Sequence, residues 1–414
     1  MPRTDRRSFL LSAAAGAALP LWFPRVAFSS PEAKEAAGGD VLVCVFQRGG
    51  SDGLNVVAPT GDPRYHDLRP TLALDEPGSA SSSALDLDGT FAFHPSLAPL
   101  KELFDDGALA AVHAVGQPEE TRSHFDAMDF IEGGTPGSKA SASGWLGRHL
   151  DTLRNGNDSP FRAIGMSSLI QQSLRGPVSA LALQSIADFH LEGDLGSLPA
   201  FQSTLGQLYS GPELLDVQGQ QTLLAIEQMA AANPSQYQPA NGATYPETPF
   251  GFGLRQIAQL IRASLGVEVA CVDIGGWDTH EGQGGALGVH ASLLDEMARG
   301  LAAFHADLDG LAQKVTVVVL SEFGRRAAEN ASGGTDHGRG NVLMVQGAGV
   351  RGGQVYGRWP GLEDHELVGP GDLAVTTDYR TVLAELLEKR LGNAETGSVF
   401  PDFTSPGSLG IFES

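Results

Sequence analysis

Six acidic and imidazole side chains stand just past apolar stretches of this chain: Asp52, Asp278, His280, Glu322, Asp336 and His337. Carboxylate oxygen and imidazole nitrogen are the donors that a hard or borderline divalent cation takes. Asp278 and His280 are two residues apart, so in extended backbone they share a face and could serve one ion. Asp336 and His337 stand side by side in a Gly-rich loop between the apolar runs 315–320 and 342–345. Five or six such donors at one place exceed the needs of a single tetrahedral ion. They suit a two-metal centre that grips the attacking and leaving oxygens of a phosphoryl-type transfer. Plainer readings compete. Asp52 lies among glycines in residues 48–55, RGGSDGLN, where turn chemistry alone favours an Asp. Asp278 could likewise close an Asx turn beside a surface histidine.

A hydroxyl nucleophile is also available. Ser123 in residues 121–125, TRSHF, precedes an expected helix, with Asp126 three residues on in the capping-box position. Local sequence favours an N-cap. The same place could instead hold a nucleophile where helix N–H groups receive an anion. Arg122 beside it could bind a non-bridging ester oxygen through its planar fork, or be an ordinary surface arginine. Arg48 and Arg339, in the ligand-bearing loops, are further candidates for that task.

These residues need elements to bring them together. Residues 41–46, 109–115, 267–274 and 315–320 are mainly apolar runs, which fit strands buried on both faces of a parallel sheet. In such sheets ligands bind where the strands' carboxyl ends share an edge. Helical patterns cover residues 217–232, 254–265, 290–311 and 381–391. Their alternation with strands predicts one α/β domain with insertions over residues 37–414.

The chain has 414 residues and a formal net charge of -22, which argues against nucleic acid and anionic lipid as partners. Cys44 and Cys271 each sit inside an apolar run and read as small core hydrophobes. Residues 1–36 are read as a leader rather than fold. Residues 5–11, DRRSFLL, followed by an Ala/Leu run, resemble a twin-arginine export signal. That implies the twin-arginine machinery as a partner, export in the folded state, and a periplasmic or secreted location. The run is too short and Ala/Gly-rich for a membrane span, so no stable membrane insertion is expected; an uncleaved anchor is the competing reading.

Residues 48–55, RGGSDGLN, together with RSHF at 122–125, GGWDTH at 275–280, SEFGR at 321–325 and GTDHGRG at 334–340, resemble the bacterial DUF1501 family. That family is similar to the alkaline phosphatase and sulfatase superfamily. The resemblance implies a three-layer α/β/α fold with a mostly parallel central sheet and a bimetal site. It also implies an exported metal-dependent hydrolase of small phosphate or sulfate esters. Zinc, manganese, magnesium and calcium are not distinguished as the two ions. Asp52 looks like the first-strand ligand of the superfamily, and Ser123 like its nucleophile, with Thr121 as rival. Asp278 and His280 resemble an Asp-and-His pair, spaced more closely here. Glu322 stands where an Asp-His pair ends a strand, Asp336 could restore a ligand from the loop, and His337 looks like the later histidine. The change to Glu322-Phe323 favours an alternative: a non-catalytic, metal-containing binding or assembly protein on the same fold.

Overall fold

The computed structural model describes residues 39–413 apart from 154, 188, 190–197 and 232–235. The expected leader, residues 1–36, lies outside the described residues. Among the described residues nine strands make the main sheet: β1 (Val41–Arg48), β2 (Leu109–Gly116), β3 (Ala163–Met166), β4 (Leu181–Ala182), β5 (Val269–Gly275), β6 (Val315–Ser321), β7 (Asn341–Gly347), β8 (Val355–Tyr356) and β9 (Thr377–Asp378). Their order is β8-β2-β7-β6-β1-β5-β3-β4, with β9 on the free end of β2. β1 is central and pairs in parallel with β5 and β6, setting Cys44 opposite Cys271 and Val318.

The long strands are mainly apolar because both faces are covered. Val41, Val43 and Val45 of β1 enter one core, which also takes α1 (Ala98–Asp105). The alternate residues Leu42, Cys44 and Phe46 enter the other. That second core is closed by α2 (His124–Gly133) and α3 (Trp145–Thr152). The first is closed further by α4 (Pro249–Arg262) and α5 (Val289–Leu308), the second by α6 (Tyr379–Lys389). Burying a Val, Leu or Phe side chain contributes about 1.5–3 kcal/mol, so period-two alternation between two cores fixes the register of β1 strongly. Both cysteines are free and buried, as core hydrophobes would be.

The run at 342–345 forms β7, which is antiparallel to both β6 and β2. A parallel return needs a crossover, usually a helix. Residues 322–340 contain no helix and loop back to start β7 beside the end of β6. The carboxyl ends of β1, β2, β5 and β6 and the amino end of β7 therefore share one rim.

Candidate metal centre

Each element ending at that rim delivers part of a compact cluster. Ser123 caps α2, its Oγ accepting from the Asp126 N–H at 3.4 Å, so His124 is the first helical residue. Asp278 and His280 follow β5, while Glu322 follows β6 and His337 precedes β7. His337 Nε2 lies 3.0 Å from His124 Nε2, 2.9 Å from His280 Nε2 and 3.0 Å from Asp278 Oδ1. Asp278 Oδ1 is also 3.1 Å from His280 Nε2 and 3.5 Å from His124 Nε2.

The outer nitrogens fix the ring states. His124 Nδ1 meets Glu322 Oε1 at 2.8 Å, His337 Nδ1 meets the Arg122 carbonyl at 2.9 Å, and His280 Nδ1 lies 3.4 Å from Asp336 Oδ1. All three partners only accept, so each Nδ1 carries the hydrogen and each neutral ring turns its Nε2 lone pair inward. Three lone pairs and a carboxylate oxygen then face one another at about hydrogen-bond distance. They repel unless a positive species lies among them. Imidazoles anchored through Nδ1 on carboxylates and carbonyls are the usual support of metal-ligating histidines. Ligand atoms of His124, Asp278 and His337 lie within 4.8 Å of one another and could hold a metal ion. The N-rich donor set fits a first-row divalent ion such as zinc better than magnesium or calcium.

Buried charges hold this arrangement. Burial pushes Asp278 up, but the Arg325 guanidinium, with the imidazoles of His337 and His280 beside it, outweighs that and brings the carboxyl down to about 2. Arg325 is fully buried; it reaches Asp278 Oδ1 at 2.7 Å and donates to the carbonyls of Gly50, Thr335 and Trp277. The hydrogen bond to Glu322 raises His124, whereas burial lowers His337. Glu322 also accepts from the Gly49 N–H at 2.8 Å. Gly49 has φ +124, and a Cβ there would stand 2.6 Å from the Asp278 amide nitrogen, so only glycine allows this approach.

Of the expected site residues, Asp278, His280 and His337 meet directly. Glu322 and Asp336 stand one bond further out as anchors for His124 and His280. Asp52 is held elsewhere. It lies in a fully buried ion pair with Arg69, at 2.5 and 2.9 Å, and accepts from Gln283 Nε2 at 2.7 Å. Its oxygens face a guanidinium and an amide rather than the imidazoles. Arg122 pairs with Asp372, Arg339 with Glu120, and Arg48 with Glu132 and Asp273. His124, Arg69, Gln283 and Arg325 were missed by sequence reasoning. For His124 the signal was present, because it sits inside the RSHF motif beside the serine that drew attention.

A mostly parallel sheet between helical layers, with imidazoles and a carboxylate converging at its rim, defines an α/β protein with a candidate cation site. The chain belongs to the family described as "Protein of unknown function (DUF1501)", whose model matches residues 40–399. Among curated proteins no sequence matches this chain. Solved structures that resemble it include the C-terminal periplasmic domain of EcEptC from Escherichia coli in complex with Zn. That likeness has 9% identity and a TM-score of 0.34, covering 76% of this chain and 74% of that one. The PsFucS1 sulfatase from Pseudoalteromonas sp. resembles it at 12% identity and TM-score 0.32, over 78% of this chain and 64% of that one. The alkaline phosphatase from the Antarctic bacterium TAB5 does so at 8% identity and TM-score 0.30, over 77% of this chain and 94% of that one. At these scores the likenesses bear on neither the site nor the reaction.

Proposed function

We propose that the chain is an exported metal-dependent hydrolase of phosphate or sulfate esters, with one divalent cation held by His124, Asp278, His280 and His337. The observation that carries this is the inward convergence of three Nδ1-anchored imidazoles on Asp278 Oδ1. One ion is preferred to two because Arg69 already supplies the positive charge beside Asp52. When bound, such a cation polarises an ester oxygen and offsets negative charge developing on the transferred group.

The chain's own residues do the rest. Ser123 immediately precedes His124 and stands at the N-terminus of a ten-residue helix, whose free N–H groups favour an anion. Its long capping bond uses an acceptor lone pair and leaves the hydroxyl proton free to depart. Ser123 Oγ attacks phosphorus or sulfur, its proton passes to the departing ester alcohol, and water then cleaves the seryl ester, restoring the hydroxyl and releasing phosphate or sulfate. Arg122, partly exposed beside Asp372, would turn its fork to a non-bridging oxygen. The site is open to solvent on the side of Asp278 and His280, whose side chains are 49% and 43% exposed, so a substrate can reach it.

The test is elemental analysis of protein recovered from the exported fraction, followed by turnover of an aryl phosphate and an aryl sulfate. Bound metal near one equivalent is expected, with Ser123→Ala keeping the metal and losing roughly 10³-fold or more of the turnover. Metal-free protein would remove the cation from the proposal, and unchanged turnover in Ser123→Ala would remove the nucleophile. The second reading is a non-catalytic binding or assembly protein on the same fold. It is favoured by Arg325, which already shares the Asp278 oxygen. Metal that raises the melting temperature without turnover of either ester would support that reading.

A further inference from the structure

Beneath the imidazole cluster runs a chain of buried polar groups. Gln283 is fully buried. Its Nε2 donates to Asp52 Oδ2 at 2.7 Å, and its Oε1 accepts from Thr279 Oγ1 at 2.9 Å and Thr335 Oγ1 at 2.8 Å. The amide can face only one way, because an ionised carboxylate accepts and never donates. Burial works against ionising Asp52, but the Arg69 guanidinium outweighs it and holds the carboxyl below its usual range. The two threonines each have a single hydroxyl proton, and both direct it to the same oxygen.

Those threonines belong to the two ligand-bearing loops. Thr279 lies between Asp278 and His280; Thr335 lies two residues before His337. The loops also meet through their backbones: Thr335 N–H to Thr279 O at 3.2 Å, Gln283 N–H to Gly333 O at 2.9 Å and Gly282 N–H to Ser332 O at 3.1 Å. These backbone bonds hold the loops side by side. The side-chain bonds to Gln283 fix how far each loop turns about that seam.

We infer that Gln283 is a positioning residue for the cation site, joining the Asp278–His280 loop to the His337 loop through Thr279 and Thr335. Asp52, on the turn after β1, orients its amide. The inference rests on the cation reading proposed above and deepens it. A group that acts only through other side chains changes the affinity and geometry of the site more than its composition. Losing such support commonly costs metal affinity about 10–100-fold.

The test uses the full chain, stripped with chelator and titrated with zinc and with cobalt(II), in wild type, Gln283→Leu, Thr279→Val, Thr335→Val and Thr279→Ser. The expected result is weaker zinc binding, by about 10–100-fold, in the leucine and both valine variants, with an altered cobalt(II) absorption spectrum. Thr279→Ser, which keeps the hydroxyl, restores both. Should Gln283→Leu fail to fold, the two valine variants, which keep the side-chain shape, decide. Valine variants that match wild type in zinc affinity and cobalt(II) spectrum overturn the inference while leaving the cation site standing. So does a Thr279→Ser that behaves like Thr279→Val. Wild-type protein that takes up neither metal overturns the cation reading and this inference together.

Discussion

Arg69 carries a full charge where no solvent reaches, and it makes five hydrogen bonds: three to Asp52 and Asn55, and two to the carbonyls of Ala327 and Arg326. Removing one member of such a pair leaves its partner charged and uncompensated. Arg69→Met is therefore expected to lower unfolding free energy by about 3–5 kcal/mol, read from urea titration. A loss below about 1 kcal/mol would show that Asp52 is not held as a charge. This residue also shows why the site was only partly legible. The glycines around Asp52 correctly announced a turn at a strand end, but nothing in the sequence marked the arginine 17 positions on as its partner. Asp278, His280 and His337 were legible because each lies in a loop within a few residues of an apolar strand. Glu322 was legible as a position but drew the role of a ligand. The structure gives it an anchoring bond to His124, which pattern alone does not reveal.

At the scale of elements, the rim works because loops approach closely. A Cβ on Gly334 would stand 2.4 Å from the carbonyl carbon and oxygen of His280 and from the Thr279 carbonyl oxygen. Gly334→Ala is expected to push the two ligand loops apart, costing about 1–3 kcal/mol of stability and weakening zinc binding, with the sheet intact by far-UV circular dichroism. Undiminished zinc affinity in that variant would mean the loops can separate without harm to the cluster. The strands themselves were readable from their apolar runs. The reversed direction of β7 was not, because side chains alternate with period two whichever way a strand runs. What decides direction is the connection, and residues 322–340 carry turns where a crossover helix would have been needed.

Over the whole molecule, histidines outside the ligand set tie stability to pH. Burial lowers His113 and His149 to about 4 and His290 to about 3, against roughly 6.5 in an unfolded chain. Between those values the unfolded chain binds more protons. The stability these residues give is complete above about pH 6.5 and declines as pH falls, by about 1.4 kcal/mol per pH unit for each. His124, raised by its bond to Glu322, opposes the trend only above about pH 6.5; Asp273 and Asp372, raised by burial, oppose it nearer the carboxylate range. A denaturant midpoint of chelator-treated protein that falls from pH 7 to pH 5 is the expected result, and a level midpoint would contradict it. The layered α/β architecture at this scale was open to reading from the alternation of apolar runs and helical patterns.

The sheet order has one more consequence. Its central strands come from distant parts of the chain, and the four inward-facing side chains of the cluster span positions 124 to 337. A nascent or truncated polypeptide keeps only the neighbours Asp278 and His280 together, so it lacks a competent trap for an ion. Ion capture at this cluster, as proposed, would report that folding has finished.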